Sequence, residues 1–249
     1  MTFSTVDAYG KVRRERVVIR TPNYADWAKL QNPKSVISEH HLSVGIALTA
    51  IQYEESSLSR PVTLDKEFAL TVKASYSHRL FSSLRWDFGL SGFLTALPLT
   101  SSDRDVALRF LGLNARLGYV FPGLPETWRL SLMAGYYYNT SIASAANPEN
   151  ILGYSGVGGP ELYPTFRKTL ANGRSILGYF KFAPVTSSLS ILNLSSREIA
   201  VGLGYGFELG KNHPASVALD ISQIRILIPS YNGFMATSNT QSLGLNYGF

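Results

Sequence analysis

The sequence predicts an all-β protein: a closed antiparallel transmembrane β-barrel of ten strands, with short periplasmic turns and longer extracellular loops. Three observations carry that expectation. Ten segments alternate apolar with small or polar residues, the period of a sheet with two unlike faces. No stretch approaches the ~18 consecutive apolar residues of a membrane-crossing helix. The links between segments alternate in length, which places both chain ends of an even-stranded barrel on the short-turn side.

The segments are 40–53, 67–79, 84–97, 105–121, 127–139, 159–170, 174–185, 197–209, 214–228 and 240–249. The first two are joined by a longer link, Glu54 to Lys66, and the second and third by a tight one around Leu80–Ser83. The third sets Leu84, Trp86, Phe88 and Leu90 against Arg85, Asp87, Gly89 and Ser91. The fifth sets Trp128, Leu130, Leu132, Ala134, Tyr136 and Tyr138 against Arg129, Ser131, Met133, Gly135, Tyr137 and Asn139. The sixth carries Pro160 and Pro164 and alternates weakly. Proline removes a ladder donor, so a recount to eight or twelve strands stays open. The eighth is clearest: Ile199, Val201, Leu203, Tyr205, Phe207 and Leu209 oppose Ala200, Gly202, Gly204, Gly206 and Glu208. The ninth changes phase between Ile221 and Ile224, which predicts a β-bulge near Ser222-Gln223. With directions set by link lengths, Tyr76, Trp86, Tyr119, Phe121, Trp128, Phe207, Tyr247 and Phe249 gather at the periplasmic rim, and Phe68 and Tyr138 near the other. Aromatic girdles at the two interfaces are expected of such barrels.

The last eight residues read Ser242-Leu243-Gly244-Leu245-Asn246-Tyr247-Gly248-Phe249. This pattern resembles the C-terminal assembly signal of Gram-negative outer-membrane β-barrels. The resemblance covers about residues 40–249 by pattern, and the terminal signal is its only specific motif. It implies the bacterial outer membrane as location. It implies outer-membrane lipid and lipopolysaccharide as surroundings. It also implies the barrel-assembly machinery as a partner reading Ser242, Gly244, Tyr247 and Phe249. It marks no subfamily.

Composition narrows the chemistry. With no cysteine, neither a disulfide nor a Cys-ligated metal is available. The net charge is +6, but Lys and Arg are scattered through apolar alternation instead of clustering, so no nucleic-acid partner is expected. Met1-Thr2-Phe3-Ser4 does not read as the start of a secretory leader. Residues 1–39 hold seven Lys or Arg and four acids. They are expected to be a periplasmic arm or plug, or to dock a periplasmic or membrane protein. Trp27 and the Val17-Val18-Ile19 run favour burial over complete disorder.

If the apolar faces meet lipid, the opposite faces line a lumen. It would hold Glu67, Lys73, Arg79, Arg85, Asp87, Arg116, Arg129, Lys181, Glu208 and Asp220. Such charges must pair or meet water. Ten strands enclose a narrow space, so they interlock as a polar plug or line a thin aqueous path, with the plug slightly favoured. Glycines such as Gly135 and Gly202 leave room for long neighbours.

An enzyme is the alternative class. The four histidines are His40, His41, His78 and His213, all near the periplasmic rim in this topology. Ser77 and His78 point to opposite faces, and His40-His41 have no evident third ligand. No catalytic set, metal or cofactor is expected. The functional expectation is a structural or partner-anchoring barrel, or a narrow channel with a charged lumen. A barrel enzyme acting on lipid or peptide is the alternative.

Overall fold

A computed structural model describes residues 2–6, 12–16, 40–57, 60–81, 85–101, 106–125, 127–145, 153–154, 156–170, 173–184, 196–209, 213–228 and 234–249. The chain divides into two units, Met1–Ser38 and Glu39–Phe249. In the first, β1 (Thr2–Val6) and β2 (Val12–Arg16) form an antiparallel hairpin from Thr2↔Arg16 to Val6↔Val12. Val17, Val18, Ile19 and Trp27 lie outside the described residues.

The second unit is built from β3 (His40–Ser57), β4 (Arg60–Phe81), β5 (Trp86–Thr95), β6 (Leu99–Ser101), β7 (Val106–Val120) and β8 (Trp128–Ala145), followed by β9 (Val157–Thr169), β10 (Ser175–Pro184), β11 (Arg197–Glu208), β12 (Pro214–Ile228) and β13 (Phe234–Gly248). Each strand pairs antiparallel with its neighbour. β5 also pairs with β7, and β13 returns to β3 through Leu243↔Leu48. The sheet is therefore a closed ring without free edges, the arrangement that satisfies every ladder in a medium without water. The short β6 continues the line of β5 along β7, so the wall has ten staves.

The proline-bearing segment is a full stave. β9 pairs with β8 from Trp128↔Lys168 to Asn139↔Val157. Its ladder with β10 omits Tyr163 and Pro164, where the ring offers no N–H. This settles the count at ten.

Residues facing outward over most of the wall are apolar and exposed: Leu42, Val44, Ile46 and Leu48 on β3, Val201 and Leu203 on β11, and Leu243 and Leu245 on β13. Leaving such a continuous greasy belt in water is unfavourable. A hydrocarbon surround removes the cost, and the barrel is read as transmembrane. Aromatics collect at the turn end, with Trp86 edge-on to Tyr119 (centroids 5.8 Å), Tyr119 to Phe121 (5.8 Å) and Tyr247 to Phe249 (5.0 Å).

Two expectations are corrected at the opposite end. The supposed link Glu54–Lys66 is wall: β3 and β4 stay paired out to Ser57↔Arg60, with one register irregularity between Thr49 and Ile51. The bulge expected at Ser222-Gln223 is absent, because β11 and β12 run in unbroken register from Glu208↔Pro214 to Arg197↔Arg225. Ile224 and Ile226 simply turn inward and are buried. Both errors have one cause. Beyond the greasy belt the wall reverses its polarity, with Gln52, Glu54, Thr63, Asp65 and Gln223 exposed outside and Ile51, Tyr53, Leu64, Ile224 and Ile226 buried inside. The chemistry outside has changed from hydrocarbon to water, so the apolar side faces the interior. Accordingly, Ile226→Asp is expected to destabilise the refolded barrel by about 3 kcal/mol or more, since it buries an unpaired carboxylate. Gln223→Asp should stay within about 0.5 kcal/mol. Urea unfolding compares the two; equal losses would contradict the reversal.

Candidate functional site

The interior is the site, and its character changes along the barrel axis. Nearest the turn end, Arg129 pairs with Asp87, both side chains still partly open to solvent. Further in, Lys73 Nζ lies 2.6 Å from Asp220 Oδ2 and donates to Ser242 Oγ at 3.1 Å. Tyr179 donates its hydroxyl to the other Asp220 oxygen at 2.7 Å and stacks on Tyr163 at 4.9 Å. The Arg116 guanidinium lies 3.8 Å over the Tyr163 ring, a cation–π contact. Its Nε and Nη2 donate to the two oxygens of Glu161 at 2.6 and 3.3 Å, and Nη1 donates to Ser91 at 3.2 Å. Deepest is Lys181, whose Nζ is 3.5 Å from Glu161, 2.7 Å from Glu198 and 4.6 Å from the Tyr137 ring centroid. Lys181 also donates to Asn114 at 3.3 Å.

Among the described residues these pairs match four cations (Lys73, Arg116, Arg129, Lys181) with four carboxylates (Asp87, Glu161, Glu198, Asp220). The two outer pairs are about equally open, with Lys73 28% exposed, and burial deepens at the inner cluster. The Arg129 side chain is 27% exposed, Arg116 11%, Lys181 8% and Glu161 0%. Charge that is out of reach of water is tolerable only when it is paired and hydrogen-bonded, as it is here.

Glycines make the long reaches possible. Gly135 on β8 is the register partner of both Arg116 on β7 and Glu161 on β9. With no side chain between them, the guanidinium spans two inter-strand gaps, about 10 Å of wall. A Cβ at Gly135 would also collide with the Ala115 backbone. The device repeats at Gly202 on β11, the partner of both Tyr179 and Asp220. A Cβ there would strike the Tyr179 ring and the Asp220 carboxylate.

Beyond the ion pairs the interior becomes apolar. Ile51, Tyr53, Leu64, Leu99, Leu108, Phe110, Ile224 and Ile226 are buried together with Tyr154. Tyr154 lies in the link between β8 and β9, where Gly153 and Tyr154 bond to the wall. Its backbone carbonyl accepts from Ser141 N and Oγ at 3.0 and 2.8 Å, and its hydroxyl donates to Asn139 Oδ1 at 3.1 Å. Gly153 N donates to Glu55 Oε2 at 2.7 Å, an oxygen that also accepts from the Tyr53 hydroxyl at 2.6 Å. Burial, then the nearby Glu198 charge, raises the Tyr154 phenol above its ordinary pKa, keeping it a neutral donor.

Of the residues expected in the lumen, the structure brings together Lys73, Asp87, Arg116, Arg129, Lys181 and Asp220. Arg85 does not join them. It is exposed in the turn before β5, at φ 57°. Glu208 is exposed at the end of β11, beside Gly173. The side chains of Glu67 and Arg79 lie outside the described residues. Sequence reasoning missed Glu161, Glu198, Tyr163 and Tyr179. Of the four terminal-signal residues, Ser242 points inward to Lys73 and Asp220, and Gly244 inward against Ala47. Tyr247 packs outward between His213 (5.6 Å) and Phe249 (5.0 Å), and Phe249 N donates to Leu42 O at 2.9 Å. His40 lies opposite His78 and His41 opposite Ser77, at the same end as His213. Among the described residues no three potential metal ligands gather.

No family model matches the sequence, and no curated protein does. The chain is similar in fold to several solved structures. Neisserial surface protein A shares 11% identity over 84% of this chain and 96% of its own, with a TM-score of 0.39. The attachment invasion locus protein of Yersinia pestis shares 14% over 85% and 99%, with a TM-score of 0.35. The translocator domain of the autotransporter NalP from Neisseria meningitidis shares 10% over 89% and 93%, with a TM-score of 0.43. The barrel itself is read from this chain's own strand pairing, and the structures it resembles are Gram-negative outer-membrane β-barrels with no subfamily singled out.

Proposed function

We propose that this chain is a bacterial outer-membrane barrel with a sealed interior, serving as a structural or partner-anchoring protein. The observation that carries the reading is the interlocked belt Arg116–Glu161–Lys181–Glu198 beneath the apolar cap of Tyr53, Phe110 and Tyr154. A conducting path needs ion sites that are weakly held and wet. Here the charges hold one another, and the Arg116–Glu161–Lys181–Glu198 cluster is more deeply buried than the two pairs nearer the turn end. The enzyme alternative draws no support from the placement of the histidines, which sit at one rim with His78 and Ser77 on opposite faces of β4. Residues 1–39 and the segment between β8 and β9 are the natural handles for a partner.

Planar-bilayer recording tests this. The wild-type barrel is expected to show no steady conductance. Steady ion-selective current through wild type, changed by Arg116→Ala, would overturn the sealed reading in favour of the narrow channel.

A further inference from the structure

Arg197 and Arg225 are register partners on β11 and β12, and both are exposed on the outer surface. Like charges placed directly opposite each other on neighbouring strands repel. Among the described residues, neither strand that flanks the pair sets a carboxylate beside it, and the nearest in the same register row is Glu54, one strand beyond β13. The flanking register partners are Pro184 on β10 and Thr237 on β13. Glu198 faces inward and is held by Lys181. Among the described residues no carboxylate pairs with either arginine; the contact given for Arg225 is Nη2 to Met235 Sδ at 3.8 Å.

The height of the pair is informative. Arg197 lies ten residues along β11 from Phe207 in the aromatic rim, and Arg225 ten along β12 from Ala215, the partner of Phe207. At ~3.4 Å per residue and ~40° of tilt, that is about 26 Å along the membrane normal, against about 25 Å for the apolar band of such barrels. Below the pair comes the Ile199–Gln223 row, and past it run Val201, Leu203, Leu219 and Ile221, exposed to lipid chains. An amphiphile lying on this strip would place its acyl chains on the aliphatic row and its headgroup between two guanidinium forks.

We propose that Arg197 and Arg225 form a binding site for the phosphorylated headgroup of an outer-leaflet glycolipid, the lipid A part of lipopolysaccharide. Guanidinium groups bind phosphate oxygens in bidentate fashion, and a shared phosphate turns the repulsion between them into attraction toward a common anion. The proposal rests on the outer-membrane reading above and names the lipid on that face.

The test uses the full chain refolded in detergent and exchanged into bilayers. Native mass spectrometry compares retention of bisphosphorylated and dephosphorylated lipid A by wild type and by the double variant Arg197→Gln, Arg225→Gln. Wild type is expected to retain the phosphorylated lipid at least about tenfold better, and the double variant to lose that preference. In phosphate-free lipid the double variant should unfold no earlier than wild type, because it relieves repulsion; this also shows that it folds. Equal retention of both lipids by wild type, or a preference surviving in the double variant, would overturn the site. So would full displacement by millimolar inorganic phosphate, which would mean a bare anion site. Failure of the wild-type barrel to insert into bilayers at all would instead sink the membrane reading.

Discussion

Glu161→Gln is expected to lower the unfolding free energy of the barrel by about 3–5 kcal/mol, the usual cost of orphaning a buried charge. The carboxylate is fully buried, and it receives both Arg116 and Lys181. The neutral amide fills the same space but leaves two cations, Arg116 and Lys181, with the single carboxylate of Glu198 in that cluster. Arg116 keeps Ser91 and the Tyr163 ring, and Lys181 keeps Glu198, so the fold should survive at reduced stability. The same exchange at the mouth, Asp87→Asn, should cost about 1 kcal/mol or less, since water reaches Arg129 there. Replacing Arg116 and Glu161 together by Met and Leu should recover much of the loss, because desolvation is then no longer incurred. Urea unfolding in bilayers, followed by Trp86 and Trp128 fluorescence, reads all three. Coincident transitions for wild type and Glu161→Gln would show that the belt contributes nothing to stability.

The second large effect is expected at the cap. Phe110→Ala should cost about 3–5 kcal/mol, as removal of a buried aromatic does. Phe110 lies 5.6 Å from the Tyr53 ring and 6.2 Å from the Tyr154 ring, so its loss undermines both. Tyr154→Phe removes only the hydrogen bond to Asn139 and should cost about 1 kcal/mol. Limited proteolysis gives a local readout. Cleavage between β8 and β9 should speed up in Phe110→Ala and stay near the wild-type rate in Tyr154→Phe. Unchanged protection in Phe110→Ala would mean that the backbone bonds of Gly153, Tyr154 and Gly156 to Glu55, Ser141 and Thr140 suffice to hold the link.

The strands were legible in the sequence because a closed wall between lipid and a polar interior imposes the strictest alternation a sheet can show. Ile199 through Leu209 carries it without a break, and β11 ends within a residue of where the pattern does. The pattern failed where its premise failed. Once water replaces lipid outside, Glu54, Asp65 and Gln223 look like loop or slipped register although the ladder continues. Proline disguised β9 and with it Glu161, although Glu161, Tyr163 and Thr165 share one parity. Glu198 shares the parity of Ala200 and Gly202 and was reachable by extending that face two residues. What periodicity cannot supply is who meets whom. That Arg116 and Glu161 flank the same glycine follows from the register of three strands, a long-range property with no local signature.

The reversal of wall chemistry also fixes how deep the molecule sits. An ordinary greasy cylinder could ride up or down by several ångströms at little cost. Here the aromatic rim at one end and the arc of Gln52, Glu54, Asp65 and Gln223 on β3, β4 and β12 at the other act as two stops a set distance apart. A thicker bilayer must thin around the protein or drag those polar groups into oil, so the chain carries its own gauge of the membrane it was made for.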